Sequence, residues 1–240
     1  LLLGNIVNTN AQFLAEKCAS LGLSMYHQVT VGDNRERLAE DISTALKRAD
    51  IIILTGGLGP TEDDITKEVC ADVMGFKLVE DPHTRERIEA YFKDGIYPVI
   101  TDNNWKQALV PEGCKVLDNH NGTAPGLIME KDGKPAILLP GPFNELKSLF
   151  LDEVSPCLQK LQPEVIRSQM IKICGHGESQ VEDQIKDLIA AQTNPTIAPY
   201  AKTAEVHLRV TARAADDETA KSLNKPVVKE IKNRFGDELT

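Results

Sequence analysis

The sequence predicts an α/β protein: a three-layer helix–sheet–helix domain followed by a small α+β domain. Three observations predict it. Helix-spaced and strand-spaced apolar patterns alternate along residues 1–161. The expected strand 50–54 carries the uninterrupted apolar run 51–54, as a strand covered on both faces requires, and leads directly into a glycine-rich turn at 55–61. Beyond Gln162-Pro163 both the pattern and the charge balance change, which places the domain boundary there and gives domains of 1–162 and 163–240.

Each element follows from local pattern. Residues 11–21 carry Phe13, Leu14, Cys18 and Leu21 at helical spacing, closed by Gly22. Residues 25–31 read as a strand. Residues 36–49 read as a helix with Leu38, Ile42, Ala45 and Leu46 on one face, and a third helix spans about 64–74. Helical patterns recur at 82–93 and around 105–109. Short strands follow at 114–117, 126–130 and 136–139, the last two joined by the turn Lys131-Asp132-Gly133. Residues 144–161 read as a closing helix. In the second domain a strand at 165–174, a helix at 179–189, a hairpin of 197–200 with 206–212 and a helix at 216–235 are expected. Strand–helix alternation in the first domain implies right-handed crossovers.

Composition excludes several classes of function. With 27 Lys and Arg against 36 Asp and Glu the net charge is −9. Residues 1–165 carry 16 basic against 25 acidic groups, leaving 11 against 11 beyond, so there is no broad basic footprint and nucleic acid is not an expected partner. No apolar run approaches ~18 residues, so no membrane span is expected. Residues 1–4 lack the pattern of a signal peptide. The five cysteines are scattered and form no CxxC pair, which fits buried thiols in a reducing, cytoplasmic setting better than disulfides or a zinc site. The five histidines form no metal-ligand pattern, and no GxSxG elbow marks a serine hydrolase.

The strongest chemical signal is Gly56-Gly57-Leu58-Gly59-Pro60-Thr61-Glu62-Asp63-Asp64, set between a buried strand and a helix. Ligands of open α/β sheets bind outside the carboxyl ends of strands, where glycines admit a phosphate close to backbone amides. The same loop carries carboxylates, so a divalent cation held by Asp63 or Asp64 can bridge to phosphate oxygens. No Lys-Ser/Thr follows, so it is not a P-loop. A tight turn with an Asp helix cap is the plainer reading. Asp33 follows the expected strand 25–31; if that strand adjoins 50–54, Asp33 and Asp64 face one pocket. Residues 119–126 are dense in turn formers, and Gly122, Thr123 and Gly126 offer amides and a hydroxyl to a second phosphate or a ribose. Pro140 and Gly141 form another strand-end turn. Asn8 and Asn10 flank the first helix start, either capping it or touching ligand. Asn104 and Lys106 flank the single Trp105, with Lys106 placed to neutralise phosphate.

These motifs, with Leu1–Asn10, 30–34, Gln107-Ala108 and 139–142, resemble the competence/damage-inducible CinA family over nearly all of residues 1–160. Residues 175–179 and 194–202 resemble that family's KH-type domain. The resemblance implies a MoCF (molybdopterin-binding-like) fold, a homodimer, and metal-dependent hydrolysis of ADP-ribose to AMP and ribose 5-phosphate. By match to acidic positions of MoCF domains it implies Asp33 and Asp64 as catalytic carboxylates, with Asp33, Asp63 and Asp64 as candidate metal ligands. The chain begins inside the family's first motif, and the family's deamidase domain is not in the sequence. Gly175-x-Gly177 differs from the GxxG loop of nucleic-acid-binding KH modules. Two rival readings remain: a non-catalytic nucleotide- or molybdopterin-binding module, and adenylyl transfer in molybdenum-cofactor synthesis.

Overall fold

The structure is a computed structural model and describes residues 1–93, 99–161, 164–202 and 205–236 of the 240. The chain separates into two compact units, residues 1–15 with 26–157, and residues 16–25 with 158–240. The expected boundary at 162–163 lies outside the described residues. Among the described residues no helix is long and apolar enough to cross a membrane.

The first unit is a mixed α/β structure. Helix α1 (Thr9–Ser20) begins it, with the side-chain oxygen of Asn8 accepting from Ala11 N–H at 3.0 Å. Helix α2 (Arg35–Arg48) is capped by Asn34, whose side chain accepts from Arg37 N–H. It presents Leu38 and Ile42 to the core. Strand β1 (Ile52–Thr55) and helix α3 (Thr66–Met74) follow, and Gly75 in the left-handed region closes α3. Strand β2 (Leu78–Glu80), helix α4 (Pro82–Lys93), a 3₁₀ helix at Asp102–Ala108 and strand β3 (Leu109–Pro111) come next. Strands β4 (Lys115–Leu117), β5 (Gly126–Lys131) and β6 (Lys134–Leu139) precede helix α5 (Phe143–Leu149), a π-helical turn at Phe150–Val154, and α6 (Ser155–Leu161).

The main sheet has the order β1-β6-β5-β4, and a separate pair joins β2 to β3. Only β1 and β6 run parallel; β6–β5 and β5–β4 are antiparallel. The sheet is therefore mixed rather than largely parallel, because the Lys131–Lys134 hairpin turns the chain straight back on itself. Alternation along β6 divides the core. Ala136 and Leu138 join the cluster of Leu38, Ile42, Val69, Cys70 and Met74 from α2 and α3. Ile137 and Leu139, equally buried, point to the other face. Phe13 of α1 meets Phe143 and Phe150 edge to face, with centroids 5.6 and 5.7 Å away.

One expectation is corrected, one is refined, and one element was not expected. Residues 25–31 form no strand: they belong to none of the described sheets, and Tyr26 and Val29 are exposed. An extended segment without a ladder partner or a buried face has nothing to hold it as a strand. The helix expected over 144–161 is present as an unbroken helical run, with one π turn at Phe150–Val154 inside it. The three-residue pair β2–β3 is too short to leave an alternating pattern.

The second unit places the antiparallel sheet β7-β9-β8 against two helices. Its elements are β7 (Val165–Cys174), α7 (Glu178–Ala191), β8 (Thr196–Lys202), β9 (Glu205–Ala214) and α8 (Asp217–Phe235). One sheet face supplies Ile171, Ile173, Val206, Leu208 and Val210, which pack on Val181, Ile185, Val228, Ile231 and Phe235. This is the small α+β domain expected.

Phe150 is fully buried in the first unit. Phe150→Ala should lower the unfolding free energy by about 3–5 kcal/mol. Urea unfolding followed by circular dichroism measures it, and a loss below about 1 kcal/mol shows that the ring is not a core element.

Candidate functional site

The parallel pairing of β1 with β6 builds the site. Their register runs from Ile52↔Ala136 to Thr55↔Leu139. Gly56 N–H extends the ladder by donating to the Leu139 carbonyl at 2.9 Å. The loop after β1 and the turn after β6 therefore leave the sheet side by side, and a Cβ on Gly141 would lie 3.4 Å from the Gly56 Cα. Asn10 reaches the same turn, its side-chain amide donating to the Gly141 carbonyl at 2.8 Å.

Gly57 sits at φ +67°, and a Cβ there would run into the Thr66 side chain. Its carbonyl accepts from Thr66 N–H at 3.1 Å, which turns the loop onto the start of α3. Only glycine satisfies both conditions. Thr61 then organises the two carboxylates. Asp64 accepts from Thr61 N–H at 3.1 Å and from its hydroxyl at 2.5 Å, and Asp63 lies 2.5 Å from the same hydroxyl. One hydroxyl has one proton, so the two carboxylates share a single donor. That hydroxyl holds the Asp63 carboxyl below the usual carboxylate range.

Lys106 staples the loop from beneath. Its ammonium donates to the carbonyls of Thr61 at 2.7 Å and Asp64 at 2.5 Å. Buried Lys67 in turn donates to the Lys106 carbonyl at 2.6 Å. Asn104 does not touch this network. Its side-chain oxygen accepts from Thr101 N–H and Oγ1, both at 2.9 Å, and so caps the 3₁₀ helix.

The opposite wall is the 119–126 loop. Arg87 anchors it, donating to the Asn119 carbonyl at 2.6 Å and pairing with Asp118 at 2.7 Å. Burial pushes the Asp118 carboxyl up, but His83 and Arg87 outweigh it and hold the group below its usual range. Asn119 is itself buried, and its amide donates to the Ala124 carbonyl at 2.9 Å and to Glu145 Oε2 at 2.6 Å.

Between these walls lies a cavity of about 340 Å³. The first loop contributes Gly57, Gly59 and Asp64; the second contributes Gly122 and Thr123; the turn after β6 contributes Pro140 and Gly141. Gln107, Tyr91 and Glu145 complete it. Several predicted residues thus meet in one place, while others do not. Asn10, Gly56, Thr61, Asp63, Asn104 and Lys106 are not among the lining residues, and neither is Asp33. Arg35, two residues on, pairs with Asp72 in the last turn of α3, whereas Asp64 precedes the first turn. Gly126 begins β5 and packs on Leu117 rather than lining the cavity. Asn8 serves as a helix cap. Gln107 and Tyr91 were not predicted, because burial and orientation decide their place. Glu145 was not either, although it stands one turn beyond the Pro140–Pro142 signal. Among the described residues no group of three or more His, Cys, Asp or Glu side chains is placed to hold a metal ion.

The Lys67 amine carries a pH signature. Burial pulls it down to about 8, against the opposing pull of Glu68. Unfolded Lys67 still holds its proton up to pH ~10.4, so between these values the unfolded state binds more protons and stability rises with pH. Relative to Lys67→Met, the native chain should gain about 2–3 kcal/mol of unfolding free energy between pH 8 and pH 10.5. Urea titrations across that range check it. Using the difference removes the opposing contribution of Cys70, whose thiol burial pushes up to about 12. A flat difference would mean that Lys67 titrates normally.

Comparison with known proteins places the chain in a family. Residues 1–160 match the family described as "Probable molybdopterin binding domain", and residues 168–239 match "Damage-inducible protein CinA KH domain". A "Putative competence-damage inducible protein" of Clostridium beijerinckii is 52% identical over 237 residues, covering 99% of this chain and 58% of its own length. A "CinA-like protein" of Dictyoglomus turgidum is 49% identical over 238 residues, with 99% and 57% covered. The chain thus spans a little over half the length of these relatives. The crystal structure of a CinA protein of unknown function from Thermoplasma acidophilum is similar with a TM-score of 0.60 and 32% identity, covering 65% of this chain and 92% of that one. With a molybdopterin-binding-type domain built around the β1–β6 turns and a KH-type domain after it, the chain belongs to the CinA family.

Proposed function

We propose that the cavity binds ADP-ribose and hydrolyses its diphosphate to AMP and ribose 5-phosphate. The observation that carries this reading is the convergence of two glycine-bearing strand-end turns on one cavity. Backbone approach at glycines favours a phosphate there. In the reaction, water adds to one phosphorus and the bond from that phosphorus to the bridging oxygen breaks. The two phosphates leave on separate products, and the water's protons pass to solvent.

The donor set fits a divalent cation that arrives with the diphosphate. Asp64 Oδ2 is held by Thr61, while Oδ1 has no hydrogen-bond partner among the described residues. Magnesium is commonly held by one or two carboxylates together with substrate phosphates, so a full protein cage is not needed. When bound, such a cation supplies charge neutralisation and a more acidic water. The chain's own part is positioning. Thr61 and Lys106 fix Asp64, and the loop backbone orients the phosphate. Asp63 is a weaker candidate ligand than expected because, unlike Asp64, it does not line the cavity, and Asp33 has no place in this scheme.

Incubation with ADP-ribose and a divalent metal should release AMP, read by chromatography. Asp64→Asn should lower turnover at least ~100-fold while leaving the circular dichroism unchanged. Full metal-dependent turnover by that variant would refute the assignment. A non-catalytic binding module is the second reading, favoured by the domain description matched by residues 1–160. Binding of ADP-ribose with no AMP formed is its signature.

A further inference from the structure

Each side of the cavity carries one carboxylate, Asp64 on the first wall and Glu145 on the second, and their surroundings differ. Glu145 presses its carboxylate onto Gly122, in the space a Cβ of that residue would occupy. Its Oε2 is fixed by the buried Asn119 amide at 2.6 Å, while Oε1 has no hydrogen-bond partner among the described residues. A charge-assisted bond from a buried donor, itself bonded on all sides, holds this carboxylate in one place. A phosphate set against Gly122 would therefore meet a fixed negative charge at close range. Of the two ligands expected at this loop, a second phosphate or a ribose, the phosphate does not suit it. What suits a fixed carboxylate oxygen is a pair of hydroxyl donors, the way an acidic side chain holds ribose in dinucleotide sites. On the first wall the Lys106 ammonium is bonded to the Thr61 and Asp64 carbonyls, next to the Asp64 carboxylate, whereas no cationic side chain pairs with Glu145 among the described residues.

We propose that Glu145 is the sugar-recognising residue of the cavity: its carboxylate accepts hydrogen bonds from a ribose diol seated against Gly122, with the phosphate against the 56–64 loop. This rests on the ADP-ribose reading and adds to it a direction for the ligand and a residue for the sugar. The diol belongs either to the adenosine or to the terminal ribose, and the same chemistry serves both.

Calorimetric titration of the full chain with four probes tests it: AMP, 2′,3′-dideoxy-AMP, ribose 5-phosphate and 2-deoxyribose 5-phosphate. Whichever ribose is seated here, deleting its hydroxyl should weaken binding roughly 10- to 100-fold. Glu145→Gln keeps an oxygen for Asn119 but turns an amide N–H₂ toward the diol. It should impose the same loss on the hydroxylated probe and none on its deoxy partner. Gly122→Ala, which leaves Glu145 in the sequence but displaces its carboxylate, should reproduce that selective loss and guards against a folding defect in the first variant. Equal weakening of both members of a pair by Glu145→Gln overturns the proposal. So does unchanged affinity for all probes, and so does a loss that appears only with divalent metal present, which would make Glu145 a metal ligand. If the native chain binds ADP-ribose while either of the last two results holds, only this inference falls. If the native chain binds neither ADP-ribose nor any probe, the ADP-ribose reading falls and takes this inference with it.

Discussion

The parallel ladder between β1 and β6 is the constraint on which the rest depends. Parallel neighbours end at the same edge of a sheet, so whatever follows each strand emerges beside the other. Here the chain continues from Thr55 into Gly56 and from Leu139 into Pro140, and Gly56 N–H prolongs the ladder by one bond. An antiparallel arrangement of the same two strands would send the turns to opposite ends, and no cavity would form between them. The partners are some 84 residues apart in sequence, as the pairing Ile52↔Ala136 shows. The β5–β6 hairpin is local, whereas this pairing must wait for a long loop to close.

The cavity is shaped by what its glycines lack. Asp64 lies against Gly59 and Glu145 against Gly122, each carboxylate occupying the room that a methyl group would otherwise fill. Both acids also share a plan of bonding: one oxygen is tied to the protein and the other is left for a ligand. The ties differ in kind. Asp64 is held by its own loop, through Thr61, and by a lysine that grips the loop carbonyls. Glu145 is held by a residue on a different loop, so the second wall becomes rigid only when α5 and the 119–126 segment are both in place.

Much of this was legible in the sequence where the signal is local. The Lys131-Asp132-Gly133 turn and the glycine run after β1 both act over a few residues, and each stands where the pattern put it. The turns at 119–126 and 140–142 were legible for the same reason. The failures come from relations that no short window contains. Residues 25–31 alternate well enough for a strand, yet a strand exists only by its neighbour. Asp33 was read through that strand and went with it. Glu145 depends on Asn119, 26 residues earlier, and on the absence of a side chain at Gly122. Lys106 was found for its charge, but its ammonium is committed to two carbonyls that only the folded loop brings to it.

Among the described residues one apolar cluster gathers around β1, β6 and α3 and another around β7, β9 and α8. Each is closed by its own sheet and its own helices. Cooperativity in melting extends as far as a shared interior does, and two interiors permit two transitions. A single melting temperature is then a composite, and a substitution in one cluster shifts only the portion of the heat-absorption curve that belongs to it.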